Sequence, residues 1–493
     1  MFGTGLGHLL PVVWQRRVHR LIRLIAADWF GMRLRGLARP ASGPRHLSGR
    51  RVAILGLFCR RVGIGRGAEL LAKELETEGA LVTKIDVSDA LHLRPNRTCD
   101  DVTGISILTT VRFDLIIVHL NPPEFSHVRL KLPSAAIDHS TLVGYFAWEL
   151  DRMPASWRES VACCNQVWVP SVFVAQSIER SFPEAQTKLA VREHRVELDK
   201  LPTRTAMARC RARSRLGLRD DTFVVLTSFS VQSTVARKNP LAAVQAFRQA
   251  MDSPNTGAEL LVRCLDVDAW PDALLPLEQA AAGDSRIHLV QIGKEMSEIE
   301  DAYLAADMYI SLHRSEGFGL NLAEALALGL PVLATGWGLS DSITRHPNFI
   351  GVPWTLVPVV DPQHIYDQVP GAHRHLTIHR NRMMAPSPAR IRAPKNTTLL
   401  SQWVAAAPTC FSGFQSHLYR GTTAECGRAT AMNSLFHHVR NRNLEGQTNL
   451  RELEASADAV VSSRSNAFTH STASARSAYQ SPQFAMRQSS PSS

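Results

Sequence analysis

The stretch HRSEGFGLNLAEALALGLPVLAT, residues 313–335, decides the fold. A strand ends near His313, Gly317 and Gly319 let the chain turn tightly around Phe318, and a helix opens near Gly319. The apolar helix then gives way to a second buried strand, PVLAT (331–335). In such a unit the backbone N–H groups of Leu320, Asn321 and Leu322 point out of the helix start, with the helix dipole behind them. That is an anion site, suited to a diphosphate. Glu324, in the first turns of the helix, can offer a bidentate carboxylate to the vicinal hydroxyls of a ribose. Glu316, before the turn, can face the hydroxyls of a sugar. A lone glutamate pair would read as solvated acids on an ordinary strand–turn–helix. Here the Gly-x-Gly turn, the apolar helix and the following strand fit together as a binding loop.

Strand–helix alternation extends from this unit towards the N-terminus. RVAILGLF (51–58) reads as a buried parallel strand, and GIGRGAELLAKELETEGA (63–80) opens a helix near Gly65 with Leu70, Leu71 and Leu75 on its apolar stripe. Strand-like runs follow at 81–87, 113–120, 141–148 and 165–170, with helical patterns at 154–163 and 171–181. A polar, Arg-rich stretch near 192–220 interrupts the pattern and marks a domain boundary. A second set begins at TFVVLTSF (222–229), with further strands at 258–264, 287–292 and 308–313 and an extended run at 351–360. The expected architecture is α/β: two Rossmann-like, doubly wound parallel-sheet domains, at 51–200 and 201–371, facing a cleft. Residues 1–50 form a basic amphipathic extension, and 372–493 read as a basic, low-complexity, disordered tail in which 449–461 alone suits a short helix.

Composition excludes several classes. Of 493 residues, 45% are hydrophobic and 20% charged, a balance with ample apolar side chain for sizeable cores. No uncharged apolar run reaches the roughly 18 residues needed to span a bilayer. The basic cluster follows the first apolar stretch, the reverse of a secretory signal. Eight cysteines without regular spacing give no disulfide framework, and the adjacent Cys163 and Cys164 read as small buried residues. A cytoplasmic protein is expected. The net charge of +11 divides into +8 for residues 1–50, +9 for 372–493 and −6 between them. The body therefore lacks the basic groove of a nucleic-acid binder, and no nucleic-acid partner is expected. No Cys/His ligand spacing calls for a metal.

At 313–335 the chain resembles the retaining glycosyltransferases of family 4, which have the GT-B fold. Their Glu-x7-Glu motif and the strand after it match this stretch almost position by position. A second match is FSVQSTVARKNPLAAVQAFRQAM (229–251), similar to the family's Arg-Lys-Asn-Pro entry to a helix. The resemblance implies that Lys238 meets the donor's phosphates with Arg237 beside it, and that Glu316 positions the transferred sugar. It implies that Gly317, Phe318, Gly319, Leu320, Asn321, Leu322 and Glu324 bind the donor. Where some members carry an Arg, this chain has Phe229-Ser230-Val231. GIGRGAE (63–69) looks like the family's glycine loop, with Gly63 and Gly65 near sugar and acceptor; an ordinary tight turn explains it equally. HLNPPE (119–124) and YFAWELDRMPASW (145–157) resemble a bacterial subgroup, placing His119 and Asn121 at the acceptor and Trp148 and Glu149 in the architecture. His119 reads equally well as a satisfied structural residue.

The resemblance covers about 51–371 and then stops, which suggests a shifted reading frame or a decayed C-terminus. It implies transfer of a sugar from a GDP- or UDP-linked donor to a glycan or lipid-linked acceptor in bacterial surface or exopolysaccharide synthesis, with no cofactor and no metal. The alternative is a catalytically weak or inactive GT-B protein acting as a binding or assembly subunit. In residues 12–30, Val18, Leu21, Ile22, Ile25 and Trp29 share one helical face, with Arg16, Arg20 and Arg23 on another. Such a helix suits an anionic membrane surface, making the protein peripheral on the inner face of the cell membrane, or packs on the N-terminal domain.

Overall fold

In a computed structural model of the chain, the structure describes residues 25–44, 46–196, 202–250, 257–267, 270–291, 296–359, 363, 366 and 377–380. The expected helix at 449–461, most of the expected disordered tail, and residues 12–24 of the amphipathic segment lie outside the described residues.

Six strands form the first sheet: β1 (Arg51–Gly56), β2 (Leu81–Asp86), β3 (Leu115–Val118), β4 (Thr141–Tyr145), β5 (Gln166–Val169) and β6 (Leu189–Val191). They lie in the order β2-β1-β3-β4-β5-β6, every pair parallel. The second sheet holds β7 (Phe223–Ser230), β8 (Ala258–Leu265), β9 (Ile287–Gln291), β10 (Met308–Ser311), β11 (Val332–Thr335) and β12 (Phe349–Val352). Its order is β12-β11-β10-β7-β8-β9, again wholly parallel. The two Rossmann-like sheets expected from the sequence are present. Strand order reverses between β1 and β3 in the first and between β7 and β10 in the second, and such reversals open crevices at the strands' carboxyl ends.

Alternation within the strands explains the cores. Val52 and Ile54 pack on one face of the first sheet with Phe58, Leu71 and Leu75. Ala53 and Leu55 pack on the other with Phe125, Phe146, Trp148 and Trp157. In the second sheet Val224, Leu226, Tyr309 and Val332 share a core with Leu322, Ala325 and Leu326 of the helix Leu320–Ala327. Cys163 and Cys164 are fully buried, as small apolar residues should be.

Three features depart from the sequence reading. β6 was not foreseen, because its three residues, two half-buried and Val191 exposed, lie between Lys188 and Arg192 and show no period. Part of the Arg-rich stretch is internal: Arg213, on the helix Ala206–Arg215, is fully buried and donates to the carbonyls of Ala305, Asp220 and Thr222 and to Asp307. That saturation is what a buried guanidinium requires. The extended run 351–360 divides after β12, and β13 (Thr355–Pro358) pairs antiparallel with β14 (Thr377–Arg380), so the stretch expected to be structureless from 372 includes a strand. Its Thr-Ile-His sequence is compatible with that pairing.

Candidate active site

The carboxyl ends of the two sheets face one another, and the turn after β10 fills the space between them. His313 fixes its start, with Nδ1 3.0 Å from Ser311 Oγ and Nε2 3.3 Å from the Trp337 carbonyl. Ser315 Oγ donates to the Glu149 carbonyl, and Ser171 Oγ donates to the Gly317 carbonyl at 2.6 Å, both across from the first domain. Gly317 permits this approach, since a Cβ there would lie 2.4 Å from the Trp148 carbonyl oxygen. Gly319 begins the helix Leu320–Ala327 at φ +100°, a left-handed conformation that favours glycine.

Glu316, 6% exposed, is the centre of the site. Lys238 Nζ donates to its Oε1, and Arg237 Nη1 lies 3.3 Å from its Oε2. Burial alone would push this carboxyl up, but Lys238 and Arg237 outweigh burial and hold it at about 2. Burial draws Lys238 below the usual lysine range against the pull of Glu316. Arg237 is buried and pinned: Nε donates to the Ser233 carbonyl at 3.1 Å and Nη1 to the Ser315 carbonyl at 3.0 Å, while Nη2 faces Glu149 at 3.8 Å. Glu149 also accepts from the Tyr366 hydroxyl at 3.3 Å, and Trp148 is buried, so both serve the architecture.

The local backbone places these cations. The sequence reading put Arg237 and Lys238 at a helix start, where the dipole opposes positive charge. The structure instead ends a one-turn helix, Val235–Lys238, at these residues, and Asn239 in the left-handed region separates it from the helix Pro240–Ala250. Cations at a helix end are favourable. Thr234 initiates that turn at φ +58°, unusual for a β-branched residue, with its Oγ1 accepting from the Arg237 N–H at 3.1 Å.

Glu324 projects from the helix Leu320–Ala327 towards Arg66, whose Nε lies 3.7 Å from Oε1, and accepts from the Tyr303 hydroxyl at 3.3 Å. Burial pushes this carboxyl up, with Arg66 and Arg263 opposing. Arg263 lies over the Tyr303 ring at 5.1 Å and donates from Nε to Ser228 Oγ at 2.7 Å. The Leu322 N–H is not available to an anion, because it donates to the Gly319 carbonyl at 3.0 Å. The helix-start role expected for three residues therefore falls to Leu320 and Asn321. Asn321 Nδ2 also donates to the Ser228 carbonyl at 3.3 Å.

The first domain contributes an aromatic stack. His119, at the end of β3, is 1% exposed, lies 4.1 Å from the Tyr145 ring, and has hydrogen-bond partners on neither ring nitrogen. Burial drives its pKa well below the usual histidine value, so the ring is neutral. His194 lies beside both rings, 5.4 Å from Tyr145 and 5.9 Å from His119, and is pushed down by burial to about 3. Phe318, from the turn after β10, meets His194 edge-on at 5.0 Å. Asn121, expected at an acceptor, is instead spent on architecture: Nδ2 donates to the Ala147 carbonyl at 2.6 Å and Oδ1 accepts from the Ala147 N–H at 3.0 Å. Gly63 starts the helix Gly63–Thr77 in open space, whereas Gly65 is a packing residue, its absent Cβ lying 2.4 Å from the Leu57 carbonyl. Arg66, Tyr303, Arg263 and His194 were not singled out in the sequence. Among the described residues no cluster of three or more His, Cys, Asp or Glu suits a metal ion.

Residues 228–372 match the family described as Glycosyl transferases group 1. The chain is 32% identical over 160 residues to D-inositol 3-phosphate glycosyltransferase 1 of Catenulispora acidiphila, covering 31% of this chain and 36% of that protein. It thus spans about a third of the length of this curated relative. Similar solved structures include a glycosyltransferase from Rickettsia africae ESF-5, 17% identical, covering 63% of this chain and 84% of that one with TM-score 0.45. Another is Anabaena HepE in complex with UDP and glucose, 16% identical, covering 59% and 81% with TM-score 0.43. The turn that carries Glu316 and Glu324 lies within the stretch that matches the glycosyl transferases group 1 family.

Proposed function

We propose that the protein transfers a sugar from a UDP- or GDP-linked donor to a glycan or lipid-linked acceptor, with retention of anomeric configuration. One observation carries the reading: the buried Lys238–Glu316–Arg237 cluster at the β7/β10 reversal, with seven residues between Glu316 and Glu324. The donor's diphosphate rests on the helix start at Leu320 and Asn321, and Glu324 accepts from its ribose hydroxyls. The sugar's C1–O bond to the diphosphate breaks and the electron pair leaves with the phosphate oxygen. Lys238 neutralises that charge as it develops. The acceptor hydroxyl adds to C1 from the same face and its proton passes to the departing phosphate. Glu316, ionised at neutral pH, orients the sugar through its hydroxyls and forms no covalent bond. Arg237 keeps Glu316 in place. The neutral His119, whose two buried ring nitrogens lack partners, is the first-domain group we assign to a sugar hydroxyl.

The glycosyltransferase name of the Catenulispora relative supports the reaction class, and we place the acceptor in bacterial surface or exopolysaccharide synthesis. The test is incubation of the full chain with UDP-glucose or GDP-mannose and candidate acceptors, following nucleotide release and the anomeric configuration of the product. Release with a retained product supports the reading. An inverted product contradicts it, and nucleotide binding without turnover favours a binding or assembly subunit.

A further inference from the structure

We infer that the helix at residues 25–34 docks the protein on an anionic lipid surface through Ile25, Trp29 and Met32. This helix has two apolar faces. Its inner face meets the first domain: Ala27 and Leu34 are buried, Gly31 packs against the Ser156 carbonyl, and Phe30 meets His127 edge-on at 5.2 Å. Folding is served by that face alone. Ile25, Trp29 and Met32 recur at i, i+4 and i+7 on the outer face and are 59%, 47% and 54% exposed. Three large apolar side chains in one stripe are more than scattered surface residues.

Charge selects the occupant. Residues 1–50 carry nine Arg against the single acid Asp28, and Arg33 and Arg35 are exposed beside the stripe, with the Arg33 guanidinium 5.6 Å from the Trp29 ring. A second copy docking by the same patch would bring these cations together. Anionic headgroups would neutralise them while the stripe enters the acyl boundary, where Trp is favoured. Position agrees with this. Ser156 lies in the segment after β4 and His127 in the helix after β3, so the stripe's helix sits towards the carboxyl edge that carries His119 and Glu149. If the proposed transfer reaction holds, a lipid-linked acceptor would meet the cleft from that side.

The test is co-sedimentation of the full chain with vesicles of phosphatidylcholine alone or mixed with phosphatidylglycerol. The wild-type chain should pellet with the mixed vesicles, and Ile25→Ser/Trp29→Ser/Met32→Ser should bind them about tenfold or more weakly with an unchanged melting temperature. Arg33→Gln/Arg35→Gln should bind less tightly and with a shallower salt dependence. Equal pelleting of the wild type and the triple variant overturns the inference, as does indifference to lipid charge. A lipid-free dimer that the triple variant abolishes would also overturn it, by making the stripe a self-association face. Turnover in lipid-free solution should be the same in wild type and triple variant, so failure of docking and failure of the transfer reading remain distinct.

Discussion

Arg66 Nε stands 3.7 Å from Glu324 Oε1, so the helix after the first domain's glycine turn reaches the carboxylate that the second domain's helix holds out. The proposed ribose-binding group thus has an ionic partner from the opposite domain. The pair is long and its side chains are 30% and 17% exposed, so it is a loose contact that a ligand can displace. Arg66→Gln should therefore tighten nucleoside diphosphate binding by a factor of about 2–5, measured by calorimetry. Tenfold weaker binding would show that Arg66 contacts the nucleotide itself.

Tyr303 should act on the donor rather than on the chemical step. Its hydroxyl is 3.3 Å from Glu324 Oε2, and burial already pushes that carboxyl up. Tyr303→Phe removes a hydrogen bond of roughly 1 kcal/mol, so KM for the donor should rise about fivefold with kcat nearly unchanged. A change confined to kcat would contradict this placement.

The acid limb of stability should have two parts. His119 and His194 are held below the usual histidine value by burial, His194 at about 3, so each contributes stability that is complete above the unfolded pKa and declines as pH falls below roughly 6.5. Glu316, held at about 2 against an unfolded value of 4.5, adds a loss that begins only below pH 4.5. Melting temperature against pH should show His119→Gln flattening the first part and Glu316→Gln the second. An unchanged profile in both variants would contradict the buried charge arrangement.

Gly317→Ala should separate the domains locally, because the new Cβ would fall 2.4 Å from the backbone oxygen of Trp148. Overpacking of this kind costs about 1–3 kcal/mol. Thermal denaturation should show that loss together with reduced turnover, and a variant as stable as wild type would mean that the turn can move away freely.

Much of the fold was legible because buried parallel strands appear as continuous apolar runs, and both sheets were read from them. The Glu316 turn was legible for a similar reason: its glycines, acids and helix are contiguous. The rest depends on distant residues. Arg66 and Glu324 are brought together across the domain contact, and Arg263 reaches Ser228 through the parallel pairing of β7 and β8. No local spacing records either contact. Asn121 misled because a strand-end asparagine facing a cleft and one tying two loops have the same sequence, and only the pairing with Ala147 separates them. The position of Lys238 at a helix end was hidden because Val235–Lys238 is a single turn, too short to carry a period.

In the proposed reaction Glu316 holds the sugar while Lys238 neutralises the departing nucleotide. The most direct test of these roles is turnover of Glu316→Gln and Lys238→Ala with the donor the wild-type chain uses, alongside nucleotide affinity and melting temperature. Each variant should lose about a hundredfold or more in turnover, the scale of one lost transition-state stabiliser, while remaining folded. Glu316→Gln should retain nucleotide binding within a few-fold, since the carboxylate addresses the sugar and not the phosphates. Wild-type turnover in both folded variants would contradict the account.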